Sequence, residues 1–361
     1  MSMNRYVRRT IQENLRKYVG GEQKVPRGAI KLNQNENEYP TSPHVISTLI
    51  NYLQNNDLRR YPEQDSETLK ERLARYYNVK YEQITIGNGS DEVIATAFKT
   101  VLEKGDLVVS TNPTYGMFKI YAIESDAKYC EVDLNEDYTL PVDKLIAMKG
   151  RLTAIANPNS PTGVFTEVSK LDDLAKGLRD SNGVLLIDET YADFARDNAL
   201  RLINKYDNVI IVRTFSKSFS LAGIRVGFGI GNEDLIAWME AVRNPYTIGT
   251  LHQIAAIAAL EDVAYMKKNV ERIIEERELL KRRLKELGFY VYPSEGNFVF
   301  IRCKTPDDAK YIVDCLKSKN IYVRYFGDNP KIADSIRITV GTHEINERLI
   351  DALKECLQSS K

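Results

Sequence analysis

Apolar positions in the middle of the chain form short continuous runs, separated by stretches in which apolar residues recur at helical spacing. The runs are QITIG (83–87), DLVVS (106–110), LTAIAN (152–157), GVLLIDE (183–189), NVIIVRT (208–214) and IRVGFGIG (224–231). Runs of this length, rich in Val and Ile, are typical of strands covered on both faces. Amphipathic stretches such as VSKLDDLAKGLRD (168–180) lie between several of them. The alternation predicts an α/β fold with a mostly parallel central sheet sandwiched by helices.

The pattern changes at about residue 253. Helical periodicity then continues to residue 288 and predicts one long helix of roughly ten turns that links two lobes. Apolar segments at 290–303, 321–326 and 335–341, with helical patterns between and after them, predict a smaller α+β domain. The first thirty residues are polar and weakly periodic, as expected of an arm.

Composition supports two lobes and excludes some partners. The chain has 361 residues, of which 43% are hydrophobic, so it is long enough for two cores. Lys plus Arg and Asp plus Glu each number 50, and this zero net charge argues against nucleic-acid binding. The sequence contains neither an apolar run long enough to cross a membrane nor an apolar segment after its basic start. We therefore expect a cytoplasmic protein without a membrane partner.

The cysteines and histidines do not form a metal motif. Cys130, Cys303, Cys315 and Cys356 are scattered without CxxC spacing, and the three histidines are isolated. We therefore expect no metal site. In a cytosolic protein such cysteines are expected to be reduced and to pack in the cores.

Polar clusters follow most of the predicted central strands. They are GNGSDE (87–92), TNPTYG (111–116), NPNSPTG (157–163), DETYADF (188–194) and SKSF (216–219). Taken singly, Ser90 or Asp91 is a candidate helix N-cap, and 157–163 is a candidate Pro/Gly turn. In an open α/β sheet, however, ligands bind beyond the carboxyl ends of the strands. We therefore expect these clusters to converge on one cleft.

The side chains predicted in this cleft suit pyridoxal phosphate (PLP). Its aldehyde requires a lysine amine for a Schiff base, and its pyridinium nitrogen requires a facing carboxylate. Its phosphate requires backbone N–H groups, as at a helix start, and a cation. An aromatic face holds its ring.

The motifs also resemble those of the fold-type I PLP-dependent aminotransferases, most closely their histidinol-phosphate aminotransferase branch. Eight occur in family order: LNQNEN (32–37), RYPEQ (60–64), GNGSDE (87–92), PTYGM (113–117), NPNSPTG (157–163), DETYADF (188–194), SKSFSLAGIRVGF (216–228) and IRITVGT (336–342). Together they span nearly the whole chain, although single motifs such as PTG are not specific. The resemblance implies the PLP-dependent transferase fold.

The resemblance implies a role for each cofactor-binding position. Lys217 is the implied Schiff-base and proton-transfer residue, Asp188 the partner of the pyridinium, and Tyr191 the partner of the phenolic oxygen. Tyr115 is expected to stack on the ring. The implied phosphate ligands are Ser90, Asp91, Ser216, Arg225 and, from the partner subunit of a homodimer, Tyr61.

At the substrate end, the resemblance implies that Arg337 binds a carboxylate in amino-acid aminotransferases. In the histidinol-phosphate enzymes, Arg324 and Arg337 hold the substrate phosphate, with Tyr18 nearby and Asn35 as a further lining residue. The implied domains are an N-terminal arm (1–30), a large PLP-binding domain (45–252), and a small domain formed by 31–44 with 253–361.

The sequence departs from the family pattern at four places. Ser160 replaces the asparagine that contacts the cofactor, so we expect either that Asn159 substitutes for it or that the contact is lost. Thr190 replaces an alanine and adds a hydroxyl near the cofactor. Lys17 and Glu38 replace prolines on segments that shape the substrate end.

The leading hypothesis is transamination between L-histidinol phosphate and 2-oxoglutarate. Two alternatives use the same site: an aromatic amino-acid aminotransferase and a PLP-dependent threonine-phosphate decarboxylase. An alternative of another class is a nucleotide-binding or scaffold protein, for which GFGIGN (227–232) lacks the third glycine of the dinucleotide motif.

Overall fold

The computed structural model describes residues 5–15 and 20–359. The strands are β1 (Ile30–Leu32), β2 (Ile84–Asn88), β3 (Leu107–Asn112), β4 (Lys128–Asp133), β5 (Leu152–Ala156), β6 (Val184–Asp188), β7 (Val209–Thr214), β8 (Val226–Gly231), β9 (Tyr290–Val291), β10 (Phe298–Arg302), β11 (Ile321–Tyr325) and β12 (Ser335–Thr339).

The α-helices are α1 (Arg9–Asn14), α2 (Pro43–Asn55), α3 (Glu67–Tyr77), α4 (Gly89–Val101), α5 (Met117–Glu124), α6 (Val142–Ala147), α7 (Val168–Arg179), α8 (Glu233–Val242), α9 (Thr250–Glu261), α10 (Val263–Glu286), α11 (Pro306–Ser318) and α12 (His343–Ser359). Short 3₁₀ helices cover Tyr81–Gln83, Ala192–Phe194, Leu200–Asn204 and Ala222–Ile224.

The larger sheet has the strand order β2-β8-β7-β6-β5-β3-β4. β8 runs antiparallel to both of its neighbours, and the other pairs are parallel. Every residue of β5, β6 and β7 is buried, as their continuous apolar runs predict. The predicted α/β class with a mostly parallel central sheet is confirmed. The edge strand β4 is not predicted from the sequence, because it is partly exposed and has no continuous apolar run.

The smaller sheet has the order β1-β11-β12-β10-β9, in which only β1 and β11 are parallel. It therefore joins the segment at residue 30 to strands that lie some three hundred residues later. This is the mixed α+β unit expected of the second half, with α11 packed on the sheet and α12 packed against α10 and α11. The boundaries of the arm and of the two domains stay a prediction.

The single long helix predicted from residue 253 is wrong. Two helices, α9 and α10, meet at Asp262, whose φ of −119° and ψ of 44° lie outside the helical region. The Asp262 carboxylate accepts a hydrogen bond from the hydroxyl of Ser42, the N-cap of α2, at 2.5 Å. The break therefore coincides with a tertiary contact that periodicity does not reveal.

The expectation that all cysteines are reduced is wrong for one pair. Cys315 on α11 and Cys356 on α12 form a disulfide, with their Cα atoms 6.0 Å apart. The two helices pack against each other and bring together residues separated by 41 positions in the sequence. Cys130 and Cys303 carry free thiols.

Candidate active site

A cavity of about 200 Å³ lies at the carboxyl ends of the parallel strands of the larger sheet. Strand β6 ends in Asp188, and β7 leads directly into Ser216 and Lys217. The lining residues are Gly20, Gln34, Ser90, Asp91, Tyr115, Ser160, Asp188, Thr190, Tyr191, Thr214, Ser216, Lys217, Ala222, Arg225 and Arg337. The polar clusters that follow separate strands in the sequence thus converge, as expected of an open α/β sheet.

One end of the cavity is the start of α4. Its first residue, Gly89, has a φ of +77°, and its backbone N–H donates to the carbonyl of Arg225 at 3.1 Å. Gly227 on β8 packs so closely that a Cβ there would lie 2.3 Å from the backbone nitrogen of Ser90. A side chain at Gly227 would push the helix start away from β8, and a side chain at Gly89 would collide with the Arg225 guanidinium. The helix N-terminus offers free N–H groups and a partial positive charge to an anion.

Arg225 adds a full positive charge at this end. Its guanidinium donates to the Ser216 hydroxyl at 3.2 Å and to Asp91 Oδ2 at 3.3 Å. The Tyr115 hydroxyl donates to the other oxygen of Asp91 at 2.6 Å. The Asp91 carboxylate thus orients both Arg225 and Tyr115 toward the cavity.

Lys217 lies in the middle of the cavity. Its Nζ donates to the backbone carbonyl of Gln34 at 3.1 Å and lies 6.0 Å from the centre of the Tyr191 ring. Burial, followed by the positive charge of Arg337, lowers the pKa of Lys217 to about 8. The amine is therefore much closer to its neutral, nucleophilic form than an exposed lysine.

Asp188 lies at the end of β6 and is buried. Burial raises the pKa of Asp188 to about 6, although hydrogen bonds from Thr190 oppose the rise. Both of these bonds reach Oδ1, from the Thr190 backbone N–H at 3.0 Å and from its hydroxyl at 2.6 Å. The carboxylate faces a cavity that also holds Lys217 and is available to a cationic group bound there.

Tyr191 is buried beside the lysine, and burial raises the pKa of its hydroxyl. The Asn35 side chain donates to that hydroxyl at 2.9 Å. Asn35 is itself buried with a φ of +55°, and its backbone N–H donates to Thr339 Oγ1 at 3.0 Å. Asn35 therefore supports the Tyr191 hydroxyl. The resemblance implied that Asn35 lines the pocket, but it is not among the residues that line this cavity.

Ser160 lines the cavity, whereas Asn159 does not. The Asn159 amide donates to Thr162 Oγ1 at 2.9 Å and to the carbonyl of Pro113 at 3.3 Å. Its side chain is therefore committed to the turn. The suggestion that Asn159 replaces the family asparagine at position 160 finds no support in this geometry. The Ser160 hydroxyl accepts from Arg337 Nη1 at 3.3 Å.

Arg324 and Arg337 lie directly opposite each other on the antiparallel strands β11 and β12, so their side chains share one face. Both guanidinium carbons lie over the ring of Phe326, at 5.2 Å and 5.7 Å from its centre. Arg337 lines the main cavity, whereas Arg324 lines a separate cavity of about 180 Å³ with Gly21 and Asn33. The two guanidinium groups thus share one face of the smaller sheet beside Phe326 but line different cavities. Tyr18, the further residue implied there, lies outside the described residues.

Tyr61 is the one cofactor candidate that lies on the open surface: 81% of it is exposed, and it stacks on Tyr246 at 4.7 Å between ring centres. Within one subunit it does not line the cavity.

Two further residues contribute to the cavity and are not predicted from the sequence. The Thr214 hydroxyl donates to the Ser216 hydroxyl at 2.9 Å. Its position directly before FSK in the sequence is the feature from which this role could have been predicted. Gln34 contributes through its backbone carbonyl, which no side-chain pattern reveals.

The donor set fits the predicted cofactor. A buried amine, a buried carboxylate, and an anion-binding helix start beside Arg225 line the same cavity. Among residues 5–15 and 20–359, no cluster of His, Cys, Asp and Glu suits a metal ion. No helix in these same ranges combines the length and apolarity that spanning a bilayer requires.

Comparison with known proteins extends these observations. The model of the family "Aminotransferase class I and II" matches residues 27–353. Histidinol-phosphate aminotransferase 1 of Trichormus variabilis is 40% identical over 359 residues, covering 99% of this chain and 100% of the relative. Histidinol-phosphate aminotransferase of Brachyspira hyodysenteriae is 39% identical, covering 96% and 98%. The solved structure of histidinol-phosphate aminotransferase from Sinorhizobium meliloti, in complex with pyridoxal-5'-phosphate, superposes with a TM-score of 0.90 at 27% identity, covering all of both chains.

Proposed function

Because the chain belongs to the class I and II aminotransferase family, we propose that it is a PLP-dependent enzyme that transaminates L-histidinol phosphate with 2-oxoglutarate. The products are imidazole acetol phosphate and L-glutamate, as required in histidine biosynthesis. The observation that carries the proposal is the convergence of Lys217, Asp188 and Arg225 on one cavity. When bound, PLP supplies an electron sink for the carbon that carries the substrate's amino group.

The protein's own groups have distinct tasks in this proposal. Arg225, the Ser216 hydroxyl and the start of α4 bind the cofactor phosphate. Asp188 would face the pyridine nitrogen and stabilise its proton, and Tyr191, whose hydroxyl accepts a hydrogen bond from Asn35, would donate to the phenolic oxygen. Tyr115 would lie against the ring. Lys217 would hold the aldehyde carbon through its amine, with release of water, and would move the proton between Cα of the substrate and C4′ of the cofactor.

The substrate end supports a phosphorylated amine. Arg324 and Arg337 lie opposite each other on neighbouring strands, with both guanidinium groups near Phe326, and we infer that they bind a doubly charged group together. The same arginines would bind a single carboxylate when the oxo acid occupies the site. The centres of the Phe326 and Phe298 rings lie 5.7 Å and 5.4 Å from the Arg337 guanidinium carbon, so Arg337 is packed against aromatic side chains.

A homodimer is part of the proposal. Ile46, Ile50 and Leu53 recur at helical spacing on α2, and each is about half exposed. Leu58, Tyr61, Trp238 and Tyr246 add exposed apolar surface. Such surface suits a buried interface between copies. We infer that Tyr61 of the partner subunit completes the phosphate site. A cytoplasmic location also belongs to the proposal, as expected of a biosynthetic enzyme.

The first experiment identifies the covalent attachment site. Purified protein incubated with PLP is reduced with borohydride, digested and analysed by mass spectrometry. We expect the mass of the reduced cofactor on the peptide that contains Lys217, and no labelled peptide from Lys217→Ala. Protein that takes up no PLP would contradict the enzyme assignment.

The second experiment ranks substrates in single-turnover reactions with histidinol phosphate, phenylalanine and threonine phosphate. We expect histidinol phosphate to react fastest. Faster reaction of phenylalanine would identify an aromatic aminotransferase, and release of carbon dioxide from threonine phosphate would identify the decarboxylase.

A further inference from the structure

Thr190 donates two hydrogen bonds to the Asp188 carboxylate at the end of β6. Its backbone N–H and its hydroxyl both donate to Oδ1 of Asp188, at 3.0 Å and 2.6 Å. No described residue donates to Oδ2. Two donors that converge on one oxygen fix the plane of the carboxylate, whereas a single backbone bond leaves it free to turn.

The location of Thr190 gives this arrangement a functional consequence. Asp188 and Thr190 both line the cavity that also contains Lys217. With Oδ1 occupied, Oδ2 is the oxygen that can accept a proton-bearing nitrogen from a ring bound there. The threonine methyl group can be retained without its hydroxyl, so the two contributions are separable by substitution.

We propose that Thr190 is a positioning residue for Asp188: its hydroxyl locks Oδ1 so that Oδ2 faces the pyridine nitrogen of PLP as an ionised acceptor. The proposal rests on the proposed function for the identity of the ring. It goes beyond it in assigning a role to a hydroxyl at a position where the family pattern, as described above, has alanine.

The charged groups around Asp188 have opposing effects on its ionisation. Asp91 on α4 disfavours its ionised form, and Lys217 on the loop after β7 favours it. The other titratable or charged groups lining the cavity are Tyr115, Tyr191, Arg225 and Arg337. Burial raises the pKa of Asp188 to about 6, and the Thr190 hydrogen bonds work in the opposite direction. The hydroxyl thus helps to keep a buried carboxylate charged at neutral pH.

The test uses Thr190→Val, which removes the hydroxyl and keeps the shape, and Thr190→Ser, which keeps the hydroxyl. The first measurement is an infrared titration of PLP-free full-length protein labelled with ¹³C at aspartate carboxyls. The Asp188 band is identified by its loss in Asp188→Asn. We expect the pKa of Asp188 to rise in Thr190→Val and to stay at about 6 in Thr190→Ser.

The second measurement is the dissociation constant of PLP, with thermal unfolding of the PLP-free variants as a control for folding. Loss of the Thr190 hydroxyl leaves Asp188 less ionised and less well oriented toward the pyridine nitrogen, so we expect weaker PLP binding in Thr190→Val, by up to about tenfold, and near-normal binding in Thr190→Ser. Unchanged Asp188 titration and PLP affinity in Thr190→Val would overturn the positioning role while leaving the proposed function intact. If the unsubstituted protein binds no PLP, the proposed function fails, and the titration alone still decides whether Thr190 controls Asp188.

Discussion

The Arg225 guanidinium packs against Gly89, in the space that a Cβ on Gly89 would occupy. A Cβ on Gly89 would lie 2.3 Å from Nη2 of Arg225, and the φ of +77° at Gly89 is in the left-handed region. The start of α4 and the guanidinium can therefore face one anion only when position 89 has no side chain. This relationship joins two motifs that are more than a hundred residues apart in the sequence.

Gly89→Ala should weaken PLP binding strongly, because the added methyl group displaces Arg225 and strains the helix start. Loss of one charge-assisted hydrogen bond alone predicts about 10- to 150-fold weaker affinity. The measurement is equilibrium dialysis of PLP against the PLP-free protein. Gly223→Ala is the matched control, since a Cβ there meets no atom within 4 Å. Equal affinity in the two variants would remove position 89 from the phosphate site.

The rate of PLP uptake should depend on pH through Lys217. The folded-state pKa of about 8 is below the ordinary lysine value, so the amine loses its proton as pH rises through 8. Roughly a tenth of the amine is neutral at pH 7, and the rate of covalent uptake should rise to a plateau above pH 8. Stopped-flow absorbance of PLP added to PLP-free protein measures this rate.

Pyridoxamine phosphate serves as the control for the uptake experiment, because it has no aldehyde to react with the amine. Its binding should not follow the same titration. A PLP uptake rate that still rises tenfold per pH unit up to pH 10 would show that the Lys217 amine is not shifted.

Arg324→Gln should discriminate between substrates. A charge-assisted bond to a buried phosphate is worth roughly 1.5–3 kcal/mol, so kcat/KM for histidinol phosphate should fall about 10- to 150-fold. Phenylalanine, which has no phosphate, should be affected much less. Arg302→Gln is the control: Arg302 is exposed at the end of β10, with its guanidinium over Tyr290. Equal losses for both substrates would argue against the phosphate clamp.

Reduction of the Cys315–Cys356 disulfide should lower the stability of the protein. The bond closes a loop of 41 residues, for which the chain-entropy estimate is about 4 kcal/mol. The melting temperature should therefore fall with reductant, and Cys356→Ser should melt lower without it and no longer respond to it. Cys130→Ser should keep the response. Free thiols at both positions in a non-reducing peptide map would exclude the bond.

Mixing two defective variants should test the contribution of Tyr61 across the dimer. Tyr61→Ala and Lys217→Ala should each lose activity at limiting PLP, for different reasons. Subunits that exchange after mixing should form hybrids in which one site has both Lys217 and the partner's Tyr61. We expect activity to recover with hybrid formation, measured at limiting PLP. Absence of recovery in hybrids verified by mass would exclude a shared site.

The sequence by itself determined most strands of the large sheet, though not the edge strand β4, and the chemistry at the carboxyl ends of those strands. The apolar runs that form β5, β6 and β7 have apolar residues on both faces of the strand. The local pattern therefore predicts directly that both faces are buried. Because parallel strands share one carboxyl edge, the positions of Asp188 and Lys217 at strand ends were enough to predict that they meet.

Tertiary structure decided which way neighbouring side chains turn and which distant segments touch. Asn159 and Ser160 are adjacent, yet only Ser160 lines the cavity, because Thr162 and Pro113 hold the Asn159 amide. Asn35 supports Tyr191 from another segment, and Cys315 meets Cys356 because two helices pack together. Local periodicity records whether a position is buried. It does not record which partner meets that position, because the partner arrives from elsewhere in the chain.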